Sequence, residues 1–118
     1  MPFKAILKDL CDRTGGTGAI MLDWEGEAVD YFALNPNIEL TAIGAHKGII
    51  LNLLRDATAR VDNEALVESI GITTKNTKIA IVVLKDGYYV LLTLRNNDSM
   101  ARGLFETKRA AKKLLANM

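Results

Sequence analysis

Apolar positions change period several times along the chain, and each change marks an element. In residues 2 to 13, Phe3, Ile6, Leu7, Leu10 and Cys11 recur at steps of three and four, the spacing of one helical stripe, while Lys4, Lys8, Asp9 and Asp12 fall elsewhere on the surface. Pro2 suits the first turn, where its missing N–H is harmless, and Gly15 or Gly16 supplies the left-handed residue that ends such a helix. "GAIMLD" (18–23) and "AVDYFA" (28–33) read as strands joined by a tight turn around Gly26, an antiparallel hairpin. Pro36 then disfavours helix in the residue before it.

From about Glu39 to Ala59 the pattern is helical again, with two apolar stripes. Leu40, Ile43, Ile50, Leu51 and Leu54 form one; Ala42, Ala45, Ile49 and Leu53 lie on the opposite side at about 100° per residue. A helix on the surface of a monomer needs one apolar face. Two faces imply that this helix packs on its own sheet and also on something else.

Past a polar "RVDNE" come "ALVESIGIT" (65–73), "TKIAIVVLK" (77–85) and "GYYVLLTLR" (87–95). Asp86-Gly87 is a strong hairpin signal, because both residues accept positive φ. The last two strands are apolar at nearly every position, as strands covered on both faces are. "ALVESIGIT" is mixed, with Glu68, Ser69 and Gly71, and reads as an edge. A closing helix runs from about Ser99 to Ala116, capped by Asp98 or Ser99, with Lys112 and Lys113 at its negative end and Met100, Leu104, Ala111 and Leu115 as its buried stripe. The order α-β-β-α-β-β-β-α predicts one α/β domain of the α+β type over residues 1–118, a five-stranded, mainly antiparallel sheet with helices on both faces.

Composition narrows the function classes. Fifteen Lys and Arg against fourteen Asp and Glu leave a formal charge of +1, which argues against nucleic acid or an acidic membrane as partner. Lys108, Arg109, Lys112 and Lys113 read as a solvated helix face. The single cysteine, Cys11, has no partner for a disulfide or a metal site and reads as a small core residue. With no signal peptide and no apolar run of bilayer length, we expect a cytoplasmic protein without membrane insertion.

"RTGGTG" (13–18) invites a phosphate-loop reading, which the order of elements opposes. A phosphate loop runs from strand through glycines into a helix and carries Lys followed by Ser or Thr. Here a helix precedes the glycines and a strand follows. His46 is the one histidine, so no histidine pair exists for a metal. Asp23 and Glu25 are close in sequence but read as hairpin-turn carboxylates, and Trp24 beside them reads as cover for a sheet edge, with an anchor for a partner as the alternative. No cofactor, metal or enzymatic activity is expected.

Two segments, taken with the element order, resemble a known family. "GAIMLDWEGEAV" resembles the first hairpin of the roadblock family, where a Gly-Ala-apolar strand leads to an aspartate and a turn glycine. "DGYYVLLTLRNNDSMARGLFETKRAAKKLL" is similar to that family's last strand, its Asn-bearing junction and its closing helix with an Arg after the first turn. The family includes dynein light chains, scaffolds that hold Rag-type GTPases, and bacterial MglB-type regulators of a small Ras-like GTPase. The resemblance implies a profilin-like sandwich and a homodimer in which middle helices pair and third strands meet edge to edge. On that account the interface candidates are Ala42, Ala45, Ile49 and Leu53 on the second stripe, Asn52 and Asp56 beside it, and Leu66, Glu68 and Ile70 on the edge strand. The function implied is binding of a small Ras-like GTPase and modulation of its cycle, with a dimeric, non-regulatory adaptor as the alternative. Arg13, Arg55, Arg60, Arg95 and Arg102 are available as supplied arginines, with nothing to single one out.

Overall fold

The computed structural model describes residues 2–35, residue 56 and residues 67–118. Helix α1 spans Pro2–Thr14, strands β1 to β5 span Gly18–Leu22, Ala28–Ala33, Ser69–Thr73, Thr77–Val83 and Tyr89–Arg95, and helix α2 spans Met100–Ala116. The helix expected from Glu39 to Ala59 lies outside the described residues, with both its stripes and His46, except for Asp56.

The five strands form one sheet in the order β2-β1-β5-β4-β3, every neighbouring pair antiparallel. Its middle is closed by β1 against β5, Gly18 opposite Thr93 and Leu22 opposite Tyr89. The β4–β5 turn has the chemistry that its sequence announced. Asp86 and Gly87 stand at φ 56° and 81°, the positive pair that a type I′ hairpin requires, and Tyr88 N–H donates to Lys85 C=O at 3.0 Å.

Continuous apolar runs in β4 and β5 feed two cores, one on each face. Ala80, Val82, Val90, Leu92 and Leu94 face the helix layer and pack with Phe3, Leu7, Leu10 and Cys11 of α1 and Ala110, Ala111 and Leu114 of α2. Ile79, Ile81, Tyr89 and Leu91 join Ile20 and Leu22 of β1 in a second buried cluster, to which neither described helix contributes. Each fully buried Leu or Ile adds about 1.5–3 kcal/mol.

The buried face of α2 differs from the expected stripe. Gly103, Glu106, Thr107, Ala110, Ala111 and Leu114 are buried, whereas Met100, Leu104 and Leu115 are half-buried along the margin. Close approach accounts for the glycine: a Cβ at Gly103 would lie 2.6 Å from Leu94 Cδ1, so no larger side chain fits at that point of the contact. Thr107 is tolerated there because its hydroxyl donates to Gly103 C=O at 2.6 Å. Ser99, not Asp98, caps α2, its Oγ accepting Arg102 N–H at 3.1 Å; Asp98 accepts Arg95 N–H instead.

Candidate interaction surface

The glycine stretch is a helix stop. Gly15 has φ +74°, and the amides of Gly15 and Gly16 both donate to Cys11 C=O, at 2.9 and 3.1 Å. Thr17 N–H donates to Thr93 C=O at 2.8 Å, so the amides that would face a phosphate are used inside the fold. The loop also borders the negative end of α1. Two guanidiniums meet the carbonyls there, Arg95 on Gly15 and Arg102 Nε on Arg13 at 3.0 Å. Arg13 itself pairs with Asp9 at 2.7 Å, and the hydrogen bond holds that carboxyl below its ordinary range. Each described arginine of the five available is thus engaged within the chain, while Arg55 and Arg60 lie outside the described residues.

The remaining chemical candidates resolve into structural roles. Asp23 Oδ1 accepts the N–H groups of Glu25 and Glu27, at 2.9 and 3.0 Å, and so shapes the β1–β2 turn. Trp24 does not cover a sheet edge. It is 60% exposed, packs edge-on against Tyr88 with ring centroids 5.6 Å apart, and touches Gly87, where a Cβ would come within 2.8 Å of its own Cβ. The indole therefore joins the tips of two hairpins that are far apart in sequence. Cys11 is buried in the helix-layer core, and burial pushes its thiol up to about 12. Lys108, Arg109, Lys112 and Lys113 are exposed, as a solvated face is. Among the described residues no cluster of three metal-ligating side chains occurs, and no helix is long and apolar enough to cross a membrane.

The edge formed by β3 has outward bonding capacity that no described residue uses. Hydrogen-bonded pairs alternate along an antiparallel ladder. Val83 N–H donates to Glu68 C=O at 2.9 Å, so alternation turns the backbone groups of Ser69, Gly71 and Thr73 away from β4. These outward groups meet no partner among the described residues. Ile70 lies opposite Ile81 and is half-buried against the second core; Glu68, just before the strand, is exposed; Asp56 is helical and exposed. The other interface candidates, Ala42, Ala45, Ile49, Asn52, Leu53 and Leu66, lie outside the described residues. The arginine clamps on α1 carried no sequence signal, because their partners are backbone carbonyls 80 and 89 residues away.

No family model matches the chain, and no curated protein sequence does. Solved structures match in shape. The chain is similar to Myxococcus xanthus MglB with a TM-score of 0.86 at 12% identity, covering 99% of this chain and 94% of that one. A Roadblock/LC7 domain from Streptomyces avermitilis gives a TM-score of 0.86 at 16% identity, covering 97% and 95%. Acanthamoeba castellanii profilin IB is further off, with a TM-score of 0.67 at 12% identity over 98% of each chain. At such identities the likeness is one of fold, and the fold is that of the Roadblock/LC7 domain.

Proposed function

We propose that the chain is a homodimeric regulator or scaffold that binds a small Ras-like GTPase and modulates its cycle in the direction of hydrolysis, without catalytic residues of its own. The observation that carries this reading is the agreement with MglB over 99% of the chain, joined to the family resemblance of the first hairpin and closing segment. The β3 edge, whose outward groups meet no partner among the described residues, supports the dimer. An unpaired edge templates another strand, and a second copy satisfies both edges at once. The glycine stretch supports placing the nucleotide in the partner, since its amides are already bonded.

In such a complex the protein contributes surface. Arg95 and Arg102 clamp the end of α1 and Arg13 pairs with Asp9, so these three contacts favour repositioning of the GTPase's own switch residues over an arginine supplied from among them. The test begins with co-purification to identify the bound GTPase. That GTPase, loaded with GTP, is then titrated with the dimer while phosphate release is followed. A rate that climbs to saturation supports activation; binding with an unchanged rate replaces it with the adaptor reading; no small GTPase among the bound proteins removes both regulator and scaffold of one.

A further inference from the structure

The other sheet edge, β2, is blocked at its centre by two side chains acting on one residue. Leu34 N–H donates to Thr17 C=O at 3.0 Å, and Ala19 faces Phe32 and Met21 faces Asp30, so alternation turns the N–H and C=O of Tyr31 outward. Neither is left open. The Asp30 carboxylate accepts Tyr31 N–H at 2.8 Å, and Lys4 Nζ, reaching from α1, donates to Tyr31 C=O. The two side chains also hold each other, with Nζ 3.3 Å from Asp30 Oδ1, and the ammonium stands 4.8 Å from the centre of the Tyr31 ring. One step along, the register jumps: Met21 pairs with Asp30 but Leu22 with Ala28, leaving Val29 as a bulge.

We infer that Lys4 and Asp30 form a guard that bars strand addition at β2, so that the sheet can grow only at the β3 edge. A second strand needs the outward N–H and C=O groups of β2 as a ladder, and the guard occupies that pair at the strand's centre. Val29 and Tyr31 are exposed on this edge, 39% and 50%, together with Leu34 at 54%, so an unguarded edge here would be both unpaired and apolar, the combination that draws chains together. A molecule open at both ends of its sheet forms chains of copies; one open at a single edge stops at a closed pair.

The experiment compares sedimentation mass over a concentration series for the parent protein and Lys4→Ala/Asp30→Ala, with circular dichroism to establish folding. The guard predicts a folded variant whose weight-average mass rises with concentration to at least about twice the parent value, as an opened edge should. Adding Tyr31→Pro, which removes the outward N–H while leaving the ladder to β1 intact, should return the mass to that of the parent. A folded double variant with the parent's mass overturns the guard, and so does growth that Tyr31→Pro leaves in place. Should the double variant lose its dichroism, Lys4→Ala alone, which truncates one exposed side chain, carries the same comparison. The parent's own mass is read separately: a monomeric parent removes the proposed dimer, while growth on opening β2 still supports the guard.

Discussion

The two edges of the sheet have similar positions and opposite treatments. Strands β2 and β3 each pair with one neighbour, and each turns alternate backbone groups toward solvent. At β2 the central outward pair is bonded by Asp30 and Lys4, and a bulge at Val29 interrupts the ladder beside it. At β3 the outward groups of Ser69, Gly71 and Thr73 have no such partners among the described residues. What separates the edges is a lysine on a neighbouring helix and an aspartate within the strand. Neither strand's apolar pattern announces this. A sheet of this size needs negative specification at one edge before association at the other can be finite.

The proposed asymmetry is broken most severely through the helical segment expected to accompany β3 at the dimer contact. Ile49→Asp with Leu53→Asp places two charges on the second apolar stripe, and burying them unpaired costs several kcal/mol or more. The expected outcome is monomer or unfolded chain in sedimentation, and an intact dimer refutes the helix contact. A milder change addresses the edge itself. Thr73→Pro removes one outward N–H from β3, at about 0.5–1.5 kcal/mol for each hydrogen bond lost. A two-fold contact loses it twice, so the dimer dissociation constant should rise by about fivefold to 150-fold. Tyr31→Pro in the parent should leave that constant unchanged. Equal effects from the two prolines would show that the edges are used alike.

Much of the fold was legible because local rules and packing agreed. Positive φ at Asp86 and Gly87, the helix stop at Gly15 and the two-sided burial of β4 and β5 each follow from residue type and spacing. The expected stripe of α2 is buried at Ala111 and half-buried against the core at Met100, Leu104 and Leu115, but it omits Gly103 and Thr107, which hydrophobicity ranks lower. At residue 103 the sheet instead selects glycine, which lets the helix come close to Leu94. Trp24 departs from the expected edge cover for a related reason: its partner Tyr88 is distant in sequence, and a hairpin tip reads like any other loop. Of the interface candidates, Glu68, Ile70 and Asp56 are described, and Ile70 shows the inward half of an edge position. Lys4 and Asp30 were illegible altogether. One looked like the polar face of a helix and the other like ordinary strand alternation, and their roles arise from contact across 27 residues between Lys4 and the Tyr31 carbonyl.

The smallest expected effect separates an opened edge from an opened protein. Lys4 is largely exposed, so its contacts with Asp30 and Tyr31 should contribute no more than about 0.2–1 kcal/mol to stability, despite their consequence for assembly. Cys11 reports on this independently, because it lies on the buried face of the same helix. Its thiol, pushed up to about 12 by burial, carries almost no thiolate in the native state at pH 8, so a thiol reagent reaches it through opening of α1. Labelling of Lys4→Ala should then be faster than that of the parent by at most about fivefold. A much larger acceleration would mean that the lysine holds the helix down, and any change in assembly would have to be assigned to unfolding. The same thiol fixes the pH for the measurement. Because its native value lies above its ordinary one near 9, the unfolded chain sheds the proton first as pH rises. Stability from this group is therefore complete below about pH 9 and falls as pH climbs from there toward 12, so a comparison made at pH 8 sees the lysine alone.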